Sequence, residues 1–338
     1  MVPYAAPVTD DIPHLRNAAD EAGFSLLGVT PAVRPDGLDR LVRWVEAGYG
    51  GSMDYIADRI DAYEHPRAVL QGVRSIIALA YPYCASAEHP VGGPDHGKVA
   101  RYAWSGVDYH DVIHDHFKRR LLPALRTDVP DARIRGVVDT APLMERDVAR
   151  AAGLGWIGKN TLLLHPKLGS YFFLAAVLTD ADLTPTPRPD FPSCGTCRAC
   201  LDACPTDAFP RPGVLDATRC ISYHTIESRD PIPDELAADF GDWVFGCDVC
   251  QEVCPFNHWR ARSETATPDA MTSIDCRQMR DITDEDFRDR YRRTPLWRSR
   301  REGIRRNAEN VLRNRTANFK SDRGQHPHEG EPRRGDRL

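Results

Sequence analysis

The chain has no apolar run approaching the roughly 20 residues that a membrane-spanning helix needs. Its first residues carry neither a basic n-region nor an extended apolar h-region, so no secretory signal is expected and the cytoplasm is the default compartment. An internal repeat array is also absent, which excludes solenoids and propellers. Net charge is small, −5 over 338 residues, and does not by itself suggest a nucleic-acid partner. What is present is 41% apolar and 28% charged residues, the balance of a soluble globular protein. At roughly 150 residues per domain this length predicts about two domains. Charge is unevenly placed: from Arg298 to Arg337 twelve Lys and Arg face six Asp and Glu, about +6, leaving the preceding chain near −11.

Helix and strand patterns alternate through the first half. Helical spacing covers 10–22, 38–47, 111–126 and 147–152, and apolar runs at 24–30, 75–81 and 134–139 read as strands. Two more runs, 161–165 and 170–179, flank the turn-forming Pro166-Lys167-Leu168-Gly169 and predict a hairpin. Pro185, Pro187, Pro189 and Pro192 then stiffen the chain and mark a domain boundary. The expected organisation is an α/β (α+β) domain over 1–183, a cysteine-rich domain over 184–260, a helical basic segment over 261–324 and a disordered tail over 325–338.

Eight of ten cysteines lie between Cys194 and Cys254. In a reducing compartment such grouping points to metal rather than disulfides. Cys194, Cys197, Cys200 and Cys204-Pro205 have the C-x2-C-x2-C-x3-C-P spacing of two-cluster ferredoxins. Cys247, Cys250 and Cys254-Pro255 repeat its last three elements, and Cys220 supplies the missing one. In that pattern the proline-linked cysteine reaches the neighbouring cube. One [4Fe-4S] cluster is therefore expected on Cys194, Cys197, Cys200 and Cys254, and the other on Cys204, Cys220, Cys247 and Cys250. Tetrahedral zinc is the alternative for C-x2-C pairs, but two Cys-Pro endings favour iron and sulfide. Cys84 and Cys276 read as ordinary thiols. Two clusters relay electrons without themselves reducing an organic substrate, and about 180 residues of α/β protein remain for that task.

Five stretches together resemble the epoxyqueuosine reductases, the cobalamin-dependent family of tRNA queuosine synthesis. They are Tyr102-Ala-Trp with Gly106-Val-Asp108-Tyr109-His110, Val138-Asp139-Thr-Ala-Pro142-Leu-Met-Glu145-Arg146, and Gly153-Leu-Gly155-Trp156-Ile-Gly158-Lys159-Asn160. The others are Cys220-Ile-Ser222-Tyr223 with Thr225-Ile-Glu227, and Gly246-Cys247-Asp248-Val-Cys250-Gln251. The resemblance spans about residues 10–315. It implies a cobalamin-binding α/β domain followed by a ferredoxin-like domain and a short basic tail. It also implies reduction of epoxyqueuosine to queuosine at the tRNA wobble position, using cobalamin cycled between the cob(II)alamin and cob(I)alamin states.

By family correspondence Asp139 is the proton donor, and its place at the end of an apolar strand suggests that partial burial raises its pKa. The resemblance points to Leu163, Leu174, Ser222, Asp248 and Val249, together with Asp139, as cobalamin contacts. It includes Tyr63, where family members often carry arginine. The cluster on Cys204, Cys220, Cys247 and Cys250 should then adjoin the corrin. Ile113 interrupts a D-x-H-x-x-G pattern, so His110 is read as a helix-cap or surface residue rather than a cobalt ligand. The implied partners are the tRNA and an external donor such as a flavodoxin or ferredoxin system; the expected state is a monomer, with no membrane. The rivals are a reductase of the same cofactor class acting on a small molecule and a plain electron carrier.

Overall fold

The structure, a computed structural model, describes residues 11–83, 89, 92–258 and 271–324; Cys84 and the tail 325–338 lie outside these. Its strands are β1 (Leu26–Pro31), β2 (Ser75–Pro82), β3 (His96–Val99), β4 (Ile134–Val137), β5 (Trp156–Ile157), β6 (Leu163–Leu164), β7 (Phe172–Thr179), β8 (Trp243–Phe245) and β9 (Ser273–Asp275). The main sheet has the order β1-β2-β7-β4, and each neighbouring pair is antiparallel.

β2 reads as an unbroken apolar run because both faces of the sheet are covered. Ile77 and Leu79 point with Val29 and Val177 towards Ile12, Leu15, Ile113, Phe117 and Leu121 of the helical segments 13–21 and 109–128. Alternate residues Ile76, Ala78 and Ala80 face Val148, Ala152 and Leu154 on the opposite side. Gly136 of β4 is required by this packing: a Cβ there would stand 2.8 Å from the Phe117 ring. Gly136→Val should displace that ring and cost about 1–3 kcal/mol, measurable as a lower urea midpoint with an unchanged slope.

Three expectations need correction. The segments around 161–165 and 170–179 do not form a hairpin with one another. Gly155 adopts φ 159°, β6 pairs with β5, and β7 inserts between β2 and β4; only a bridge at His165–Gly169 joins the two segments. The strand at 134–139 ends at Val137, because Asp139 takes the left-handed region at φ 57°. The helix expected at 147–152 begins earlier, at Glu145.

The proline-rich stretch contains no helix or strand, and Thr186 exchanges hydrogen bonds with Val29 in both directions, at 2.9 Å each, covering the open edge of β1. Beyond it a second sheet, β8-β3-β9, joins distant parts of the chain, since β3 runs parallel to β8 and antiparallel to β9. Ile304, Ala308 and Val311, on one stripe of the helix Arg300–Gly324, fill a core with Trp104, Phe245, Ile274 and Leu296. No helix among the described residues is long and apolar enough to cross a membrane.

Candidate active site and cluster cradle

Beyond β4 the chain turns sharply, and Asp139 emerges with its side chain 65% exposed. The Tyr109 hydroxyl donates to Asp139 Oδ2 at 2.9 Å, and His110 Nε2 stands 3.4 Å from the same oxygen. On the other edge of the imidazole, Nδ1 lies 2.8 Å from Asp108 Oδ1. Asp108 caps the helix Tyr109–His116 by accepting from the His110 amide, which fixes both partners at that helix start. The Tyr109 ring stacks on Phe173 of β7 with centroids 4.1 Å apart and on His110 at the same distance.

These contacts decide the charges. The imidazole of His110, 3.4 Å away, holds the Asp139 carboxyl below its ordinary range, burial opposes this, and the hydrogen bond from the Tyr109 hydroxyl adds to the lowering. The expected upward shift therefore does not occur, because charge-assisted partners outweigh desolvation. For His110, burial pulls the pKa down, but the bonds to Asp108 and Asp139 and their charges bring it up to about 9. Glu145, at the start of the next helix, is pushed up to about 7, first by burial and then by the charge of Asp139. The same charge is felt at Tyr55, Tyr63, Tyr102 and Arg298, which places all four near Asp139.

All nine described cysteines are free thiols. Among the described residues no three His, Cys, Asp or Glu side chains converge as they would on a single ion. The thiols fall into two adjoining neighbourhoods. Cys200 senses Cys194, Cys254 and Cys197, and Cys254 senses Cys194 and Cys197. Cys247 senses Cys250 and Cys220, while Cys250 senses Cys220, Cys200 and Cys204. Backbone amides are turned towards sulfur, as a cluster requires: Ala208 donates to Cys204 Sγ at 3.3 Å, and amides of Tyr223 and Ser222 serve Cys220. Cys197 is exposed, so the first group reaches the surface. None of the second group is exposed, whereas the first holds both exposed Cys197 and buried Cys254; the second is therefore the inner group, and burial raises its Cys247 and Cys250 thiols well above their ordinary value.

Leu163 is buried on β6 and Leu174 half-buried on β7; both pack in the core on that face of the sheet. The loop before β6 touches the inner cysteines directly, with Asn160 Nδ2 donating to the Cys250 carbonyl at 3.3 Å. Ser222 and Val249 are half-buried beside Cys220 and Cys247, and Tyr63 is half-buried on the Asp139 side. Tyr102, Tyr109, Phe173 and Tyr83 form a continuous aromatic cluster beside Asp139. Apolar and aromatic side chains with a carboxylate at their edge are the chemistry that a large macrocycle with polar margins would need.

The Asp248 side chain is committed elsewhere. It is 1% exposed and accepts from the Arg101 amide at 2.7 Å, from Arg101 Nη1 at 3.2 Å and from Gln251 Nε2 at 3.2 Å. Arg101 also reaches Glu252 at 2.5 Å. Arg101 is a residue that sequence reasoning missed, since its only signal is its place between Ala100 and Tyr102 of a family-like stretch. Lys159, in the Gly153–Asn160 stretch, donates from its ammonium to the carbonyls of Gly195 and Cys197 at 2.7 Å each, clamping the outer cysteine loop.

Several described arginines of the basic C-terminal segment are engaged in structure. Arg298 pairs with Glu227, Arg301 with Asp284, and Arg305 donates to the Arg280 carbonyl. Arg306 serves the carbonyls of Ser228, Asp230 and His224.

Comparison with known proteins agrees with this layout. Residues 193–257 match the family model of a 4Fe-4S double cluster binding domain, and residues 64–140 match that of epoxyqueuosine reductase QueG, DUF1730. An epoxyqueuosine reductase of Cyclobacterium marinum is 37% identical over 87% of this chain and 94% of its own length. One from Gloeobacter violaceus is 38% identical over 92% and 97%. Among solved structures, an epoxyqueuosine reductase with an epoxyqueuosine-modified tRNA-Tyr stem loop superposes with a TM-score of 0.79 at 30% identity, covering 94% of this chain and 85% of that one. The Bacillus subtilis enzyme, captured with a catalytic aspartate loop swung out of the active site, gives 0.78 at 30% identity, over 94% and 85%.

Proposed function

The chain belongs to the epoxyqueuosine reductase family, and from that premise we propose that it reduces epoxyqueuosine to queuosine at the wobble position of tRNA, with Asp139 as the final proton donor. Turning an epoxide into an alkene takes up two electrons and two protons and releases the oxygen as water. The observation that carries the reading is the placement of Asp139, bonded by the Tyr109 hydroxyl and 3.4 Å from His110 Nε2, with Tyr102 feeling both its charge and that of Asp248, the neighbour of Cys247. The catalytic aspartate loop of the Bacillus subtilis relative supports the same role here.

Asp139 rests as a carboxylate, so it must be charged with a proton before it can give one to the departing oxygen. His110, protonated near neutrality and 3.4 Å away, is the reservoir. Asp108 keeps the imidazole aligned from behind, and Tyr109 holds the carboxylate in register. Glu145, near pH 7 in its affinity for a proton, is a second store within reach of Asp139's charge.

Cobalamin would be held by Leu163, Leu174, Tyr63 and Asp139 on one side and by Ser222, Val249 and the backbone of Asp248 on the other; when bound it supplies a strongly reducing, nucleophilic cobalt centre. The two cysteine groups would hold [4Fe-4S] clusters that carry single electrons. Exposure of Cys197 supports the outer group as the place where an external donor, of flavodoxin or ferredoxin type, delivers them. We place the protein in the cytoplasm as a monomer, with the α/β cobalamin part, ferredoxin-like part and helical basic segment in that order along the chain.

The test is anaerobic turnover of an epoxyqueuosine-containing stem loop, with the nucleoside product identified by mass, beside the base-off absorption of reconstituted cobalamin. Absence of product together with a normal cofactor spectrum would transfer the chain to the small-molecule reductases. A pH dependence also follows. His110 has its pKa raised from 6.5 to about 9, so its contribution to stability and to proton supply is complete below about 6.5 and disappears as pH rises through 9. Turnover should fall along an alkaline limb near pH 9, and His110→Gln should lower the neutral rate and abolish that limb.

A further inference from the structure

We propose that Tyr55 and Arg298 form a stacking platform at the rim of the Asp139 opening, for an RNA base that neighbours the modified nucleoside; this rests on the proposed function and deepens it. Tyr55 sits on the short helix Asp54–Ala57 and is 45% exposed, one of three large hydrophobic side chains so exposed among the described residues. The Arg298 guanidinium, from the turn Pro295–Ser299, lies over its ring at 5.9 Å. These segments are more than two hundred residues apart in sequence.

Arg298 is fixed before any ligand arrives. Its Nε donates to Glu227 Oε1 at 3.0 Å and its Nη2 to Oε2 at 2.7 Å. The backbone on either side is tied down by Arg229, which donates to the Arg298 carbonyl at 2.7 Å and to the Ser299 carbonyl at 3.3 Å. Glu227 in turn caps the helix Ile221–Ile226 that starts at Cys220, so the platform is anchored to the cluster cradle. The ligand chemistry follows from this pairing. With its fork occupied by a carboxylate, Arg298 is a poor phosphate site; the planar faces of ring and guanidinium remain. Splayed-out bases of single-stranded RNA loops stack on such faces, and a base beside the wobble nucleoside is what would pass this rim. Both side chains also lie within reach of the charge on Asp139.

The experiment is fluorescence anisotropy of the cluster-loaded protein with a dye-labelled anticodon stem loop. Tyr55→Ala should weaken binding by roughly tenfold and Tyr55→Phe should bind as wild type, since the face and not the hydroxyl is used. An abasic site at the contacted flanking position should weaken the wild type by a similar factor and cost Tyr55→Ala nothing further. The salt dependence of Tyr55→Ala should match the wild type, because no phosphate contact is lost. Unaltered binding of Tyr55→Ala, fully additive penalties at both flanking positions, or a shallower salt slope would each overturn the platform. Failure of the wild type to bind any stem loop would instead remove the proposed function beneath it.

Discussion

Asp139→Asn should cut the reduction of epoxyqueuosine in tRNA by roughly 10²- to 10⁴-fold, the range for loss of a positioned general acid, without loss of fold or clusters. Asparagine is the informative replacement. Residue 139 holds φ 57°, a left-handed conformation that Asn tolerates far better than Ala, so the loop keeps its path and Tyr109 keeps an oxygen to donate to. What disappears is the negative charge. His110, now bonded to Asp108 alone, should titrate below its present value of about 9, and the imidazole resonances in an NMR pH titration would show it. Full turnover in a variant with that shifted imidazole would take Asp139 out of the proton path. An unshifted imidazole would mean that the His110–Asp139 contact does not exist in solution.

Substitution of Cys220 by Ala should remove one cluster outright, halving iron and sulfide and abolishing turnover, while the outer cluster's paramagnetic signal on reduction survives. The pattern across several variants discriminates more sharply than one. Cys204→Ala should lose the same signal as Cys220→Ala, and Cys254→Ala the same signal as Cys194→Ala, because the proline-linked cysteines exchange places. If Cys204→Ala behaved instead like Cys194→Ala, the exchange would be wrong. Cys276→Ala is the control. Its thiol is buried, donates to the Ile274 carbonyl and is pushed up to about 12 mainly by burial, so both clusters should persist with some loss of stability.

The cysteine motifs were legible because their spacings of two and three residues are local, whereas the partners Cys254, Cys204 and Cys220 come from tens of residues away and were placed by the two-cluster pattern. The β2 run and its flanking helices were legible for the same reason, through periodicity within a short window. Pairing was not. The runs at 161–165 and 170–179 had the composition and turn of a hairpin, yet their partners are β5 on one side and β2 and β4 on the other, a choice settled by distant strands. Nor could the sequence show the charge state of Asp139, because Tyr109 and His110 lie some thirty residues upstream and arrive only through the helix cap and the stack on Phe173. Net charge says little about what each arginine of the C-terminal segment does: Arg301, Arg305 and Arg306 are engaged by Asp284 and by backbone carbonyls. Truncation after Trp297 would strip Ile304, Ala308 and Val311 from a core, so weakened RNA binding in such a variant would report unfolding rather than lost phosphate contacts.

β3 lies between β8 and β9 although the chain makes it long before either. At ribosomal speeds of about 5–20 residues per second, strand 96–99 waits on the order of ten to thirty-five seconds for residues 273–275. Until β8 is made both its edges are bare, and the edge that will meet β9 stays bare for the whole interval, open to a chaperone or a neighbouring nascent chain. The two halves of the enzyme are therefore poor candidates for separate expression, and yield in a foreign host should depend on the pace of translation through the cysteine-rich stretch as well as on iron supply.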